Sequence, residues 1–186
     1  MKKIILIFII FIGCLLSQRN KYIINPSKSL TRGIYKTFPI ETINKGDIVV
    51  FNIPNDIKKM AKEREYILKD AQTLMKIVAA TKDDIVTIEK GELFINGISW
   101  GKIAYKDSHL RKLDPKNEKE LQPKSDDEYL LLSKVRNSFD GRYIGTIKRK
   151  DIIYKAELFL EFWKKRLKII NNYGIIEVQK SGVPYQ

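Results

Sequence analysis

Gly46-Asp47-Ile48-Val49-Val50-Phe51 is the stretch on which the fold class turns. Three β-branched residues and a phenylalanine run without interruption between Gly-Asp and Asn52-Ile53-Pro54. That pattern reads as a buried strand entered and left by turns. Toward the C-terminus, Asn55 to Ala71 is charged, with Ile57, Met60, Ala61, Ile67 and Leu68 at roughly helical spacing, and predicts a short surface helix. Leu74 to Ala80 returns to strand character. Asp83 to Ile88 follows, then Lys90-Gly91 as a turn. Leu93 to Trp100 next contains Asn96-Gly97, a strong hairpin signal because both turn positions of a two-residue hairpin need positive φ. Tyr129 to Val135 and Ile147 to Ile153 complete a meander, so the expected domain is mainly β with antiparallel pairing. Between them, 107–128 is polar with few apolar residues and is expected to be a mobile loop. Residues 154–170, with Leu158, Phe159, Phe162, Trp163, Leu167 and Ile170 crowded among lysines, are expected to form a C-terminal amphipathic helix. That helix packs on the sheet or lies on a membrane surface.

Upstream, Ile4 to Leu16 is apolar behind Lys2-Lys3. As a helix it would rise about 20 Å, short of a ~30 Å hydrocarbon core, so it either borrows flanking residues or is a signal segment. The two lysines favour an N-terminus inside and a translocated remainder. The expected organisation is a membrane anchor or signal segment at 1–24 and an extracytoplasmic domain at 25–186, on the outer face of a cytoplasmic membrane. Phe11-Ile-Gly-Cys14 also loosely matches a lipidation site.

The net charge of +13 raises a nucleic-acid reading. The lysines are spread along the chain and mixed with acids, as in Lys58-Lys59-Met-Ala-Lys62-Glu63-Arg64-Glu65, so the expectation is a solvated basic surface, open to anionic lipid, with no nucleic-acid partner. Cys14 and His109 are the single cysteine and histidine. No zinc site, cofactor, disulfide framework or Ser/His/Asp triad has candidates, and none is expected.

A serine can still be activated without histidine. A lysine can take its proton if the amine is neutral at working pH, which burial in an apolar setting promotes by penalising the ammonium form. Lys76, between Leu74-Met75 and Ile77-Val78-Ala79-Ala80, has that setting, and Ser29 stands in the turn-like stretch Asn25-Pro-Ser27-Lys-Ser29-Leu-Thr31.

Five blocks in order carry a resemblance: Asn25-x-Ser27-x-Ser29-x-x-x-Gly33-x-Tyr35; Gly46-Asp47 to Phe51; Leu74-x-Lys76-x-Val78-Ala-Ala80 with Asp84-x-Val86; Asn96-Gly97; and Ser138-Phe-Asp140-x-Arg142-Tyr-x-Gly145. Over about residues 25–153 they resemble the type I signal peptidase family of serine/lysine peptidases, and within it the conjugative-transfer peptidase TraF branch. The resemblance implies Ser29 as nucleophile and Lys76 as general base. It also implies Ser27 as an oxyanion-hole hydroxyl beside the Ser29 backbone N–H, Ser138 as the hydroxyl that orients the lysine, and Asp140 with Arg142 as a supporting ion pair. The implied activity is a membrane-bound serine endopeptidase that cleaves exported precursors after small residues through an acyl-enzyme. A conjugative pilin or transfer-apparatus precursor is the implied substrate. A general secretory signal peptidase and a non-catalytic interaction module on the same scaffold are the alternatives. The chain departs from the family pattern at Thr31, where proline is usual, at Ile77, where a basic residue is common, and at Gly141, where serine is usual. The glycine that normally leaves space near the lysine is also missing around Leu132 and Ser133.

Overall fold

The computed structural model describes residues 22–162 and, beyond them, 167–171 and 174–178. A seven-stranded sheet dominates, with strands β1 (Tyr22–Asn25), β2 (Gly33–Phe38), β3 (Ile48–Asn52), β4 (Thr73–Ala80), β8 (Glu128–Leu132), β9 (Thr146–Lys148) and β10 (Ile152–Glu161). Their spatial order is β1-β2-β10-β3-β4-β8-β9, and every neighbouring pair is antiparallel. A second, three-stranded sheet is the meander β5 (Val86–Glu89), β6 (Glu92–Ile95) and β7 (Ile98–Lys102). Asn96 and Gly97 turn its second hairpin at φ 52° and 76°, as the sequence signal requires.

The Gly46–Phe51 stretch becomes β3, flanked by β10 and β4. Val49, Val50 and Phe51 are all buried, because a central strand in this sheet meets core on both faces. On one face Val49, Phe51 and Val78 pack with Leu131, Ile147 and Ile152; on the other Val50 packs with Tyr35 and Ala156. A further cluster of Ala79, Ala80, Leu130 and Leu132 with Val86, Leu93 and Ile95 joins the two sheets. Helix α1 (Asn55–Glu63) realises the expected surface helix in shortened form and buries Ala61 beneath it.

Two expectations are corrected. Residues 154–161 belong to strand β10, not to a C-terminal helix, and 167–171 form strand β11 (Leu167–Asn171), paired with β12 (Gly174–Val178). Strand β10 bridges β2 and β3, so its amide groups are spent on two ladders. A register shift between Leu158 and Leu160 breaks its period-2 alternation, and Leu158, Phe159 and Leu160 are all exposed. The 107–128 segment is tied down: Asp107 accepts hydrogen bonds from the Tyr66 hydroxyl at 2.6 Å and Arg111 Nε at 2.7 Å, and helix α2 (Glu118–Leu121) starts on an Asn117 capping box. Its Leu121 is fully buried in the core that joins the sheets, which anchors the segment despite its polar composition. Residues 1–21 of the expected anchor lie outside the described residues, while 22–24 are part of β1. Among the described residues no helix is long and apolar enough to cross a membrane.

Candidate active site

Three segments far apart in sequence meet at one spot. The turn between β1 and β2 presents Ser27 and Ser29, strand β4 carries Lys76, and the segment after β8 carries Ser133, Ser138, Asp140 and Arg142. Antiparallel pairing places Lys76 opposite Val49, so with Leu74 and Val78 it sits on a face that packs against apolar side chains. Only 3% of Lys76 is exposed. Burial lowers its pKa from 10.5 to about 8, with the Asp140 charge pulling weakly the other way.

Lys76 Nζ lies 3.1 Å from Ser29 Oγ, hydrogen-bond reach for a base and its nucleophile. Ser29 is half-buried and Ser27 exposed, so the pair opens to solvent on the side away from the core. Ser27 Oγ stands 2.9 Å from Ser29 Oγ. The three residues implied as nucleophile, base and oxyanion donor are thus brought together.

Behind them lies a buried ion pair. Arg142 donates to Asp140 Oδ2 at 2.7 Å, and both side chains are fully buried. Asp140 also accepts from the backbone N–H groups of Ser133 at 3.0 Å and Arg142 at 3.1 Å, while Arg142 reaches the Trp100 carbonyl at 2.6 Å. Burial pushes the Asp140 carboxyl up, and Arg142, these N–H groups and Lys76 pull it back. Removing either partner would strand a charge in the core, so the pair holds the segment in one conformation and also sets a negative charge near Lys76.

Ser138 does not make the bond expected of it. Its hydroxyl is buried yet has no hydrogen-bond partner among the described residues, and it lines a cavity of about 240 Å³ with Tyr66, Phe139 and Tyr143. The residue that sequence reasoning missed is Ser133. Its hydroxyl donates to the backbone carbonyl of Ser29 and accepts from the Val135 N–H at 3.0 Å, while its own N–H is held by Asp140. It therefore couples the nucleophile's backbone to the ion pair across 104 residues. The available signal was a lone polar residue closing the apolar run Leu130-Leu131-Leu132-Ser133.

One of the departures has a physical reason. A Cβ on Gly141 would come within 2.7 Å of the Leu131 carbonyl oxygen and 2.8 Å of Leu130 Cδ1, so serine does not fit beneath β8 here. The Thr31 carbonyl accepts from the Tyr35 hydroxyl at 2.8 Å, a bond that proline would allow equally, so nothing in the structure explains this departure. His109 stays apart from the site, bonded through its backbone N–H to Asp107. Among the described residues no group of His, Cys, Asp and Glu is arranged to hold a metal.

The family model of signal peptidase, peptidase S26, matches residues 2–163. Two proteins of Escherichia coli, each named plasmid transfer protein TraF, are similar to the chain. One is 36% identical over 145 residues, covering 70% of this chain and 77% of its own. The other is 34% identical over 140 residues, covering 69% and 76%. A crystallised signal peptidase I of Enterococcus faecalis V583 is 21% identical, with 61% of this chain and 95% of that one covered at a TM-score of 0.33.

Proposed function

The chain belongs to the signal peptidase, peptidase S26 family, and from that premise we propose that it is a serine endopeptidase working through a Ser29/Lys76 dyad. The observation that carries the reading is the 3.1 Å contact between Ser29 Oγ and a lysine whose pKa is lowered to about 8. At pH 7 that value leaves about one lysine in ten neutral, against about one in several thousand for an exposed lysine.

In the proposed cycle the neutral Lys76 amine takes the Ser29 proton as Oγ forms its bond to the scissile carbonyl carbon. The resulting oxyanion is held by the Ser27 hydroxyl and the Ser29 backbone N–H. Collapse breaks the C–N bond, and the Lys76 ammonium returns the proton to the leaving amine. The neutral Lys76 then draws a proton from water, whose oxygen attacks the acyl-Ser29 ester; release of the carboxylic product gives Ser29 its proton back.

The substrate in this reading is an exported precursor, and the plasmid transfer relatives support a pilin or another transfer-apparatus component. The apolar Ile4–Leu16 stretch behind Lys2-Lys3 supports a catalytic domain held at the outer face of a bacterial cytoplasmic membrane. Exposed Tyr22 and Ile24 on β1, just after that stretch, and Phe159 and Leu160 on β10 support contact with lipid. The test is cleavage of pilin and secretory precursors in vesicles by the wild type, Ser29→Ala and Lys76→Ala. Wild-type cleavage that both substitutions abolish is expected. An inactive wild type, or either variant with full activity, overturns the reading.

A further inference from the structure

The turn that presents the nucleophile begins at a residue for which the cycle above has no use. Asn25 ends β1, pairs with Gly33 across the ladder, and is only 7% exposed. Its amide is spent on its own loop. Oδ1 accepts from the Ser27 N–H at 3.1 Å and from the Ser27 hydroxyl at 2.8 Å. Nδ2 donates to the Ser27 carbonyl at 3.3 Å and to the Thr31 carbonyl at 3.1 Å. Because the Ser27 N–H faces one end of the amide and two carbonyls the other, the hydrogen bonds fix the orientation of the side chain.

A hydroxyl has one proton, and an amide oxygen has none to give. The Ser27 proton is therefore committed to Asn25, and Ser27 Oγ meets Ser29 Oγ as an acceptor. In the resting enzyme with Lys76 protonated, the donors run in one direction, from Lys76 to Ser29 to Ser27 to Asn25. The Ser27 oxygen is thereby parked within reach of the nucleophile while its N–H keeps the backbone tied to the same Oδ1. A short rotation about the Cβ–Oγ bond then takes the proton from Asn25 to an oxyanion without moving the loop.

We propose that Asn25 is a positioning residue that stations the Ser27 hydroxyl for the oxyanion and acts on turnover through Ser27. The proposal rests on the Ser29/Lys76 reading. It is tested with the full chain in vesicles and a peptide spanning a precursor cleavage site, measuring kcat and KM for the wild type, Asn25→Ala, Ser27→Ala and the double variant. Asn25→Ala lowers kcat about tenfold, less than the ~100-fold or more expected for removing an oxyanion donor outright, and leaves KM within about twofold. In the Ser27→Ala background the same substitution changes kcat by less than about twofold, since the hydroxyl it serves is already gone. Equal losses in the two backgrounds, or no loss at all, overturns this inference while leaving the dyad standing. A wild type that cuts nothing, or a Ser29→Ala variant that cuts as the wild type does, overturns the dyad and this inference with it.

Discussion

Replacing Lys76 with methionine should abolish cleavage and, at neutral pH, make the protein more stable. The residue is only 3% exposed, so its charge is held largely away from water, and its pKa falls from 10.5 to about 8. At ~1.4 kcal/mol per pH unit, that displacement corresponds to about 3 kcal/mol of folding free energy withheld while both states are protonated. Methionine matches the lysine stem in length and brings no charge. It forfeits the hydrogen bond to Ser29, about 1 kcal/mol, and leaves Asp140 with Arg142 as its cationic partner. A net gain of about 2 kcal/mol at pH 7 follows. The sign with pH is fixed: the folded pKa lies below the unfolded one, so between about pH 8 and 10.5 the unfolded chain binds more protons and wild-type stability rises with pH. The advantage of Lys76→Met is therefore full below pH 8 and fades as pH climbs toward 10.5. Urea unfolding of wild type and variant at pH 7 and pH 10, followed by tryptophan fluorescence, measures both quantities. A variant less stable than wild type at pH 7, or a difference that does not change with pH, would refute the buried-ammonium argument.

Other substitutions probe the scaffold of the site. Gly141→Ser should lose about 1–3 kcal/mol, because the new Cβ meets the Leu131 carbonyl at 2.7 Å and backbone must shift; an unchanged urea midpoint would contradict that packing. Ser133→Ala leaves the Ser29 carbonyl and the Val135 N–H without their buried partner. It should cost about 1–3 kcal/mol of stability and slow turnover more than it weakens substrate binding, as separate kcat and KM values would reveal.

Legibility in the sequence followed the range of the interactions. Strand β3 and the Asn96-Gly97 hairpin were readable because a β-branched run and a positive-φ turn are local properties. Lys76 was readable because its neighbours in sequence are also its surroundings in the sheet: Leu74 and Val78 share its face. Strand β10 was misread because its identity depends on two partners more than a hundred residues upstream, and a register shift scrambled its alternation. Segment 107–128 was misread because one leucine, Leu121, supplies the anchor that composition averages away. At the site, Ser27, Ser29 and Lys76 converge as the resemblance implied, whereas the bond between Ser138 and Lys76 is absent and Ser133, on a contact spanning 104 residues, had only a weak local mark.

The central claim is that a buried lysine with a lowered pKa activates Ser29, and the pH dependence of kcat/KM on a precursor peptide tests it most directly. The account predicts an ascending limb with a midpoint near 8, falling about tenfold per pH unit below it as the Lys76 amine becomes protonated. A limb centred near 6.5, where an ordinary histidine titrates, or a rate unchanged from pH 9 down to pH 6, would contradict it.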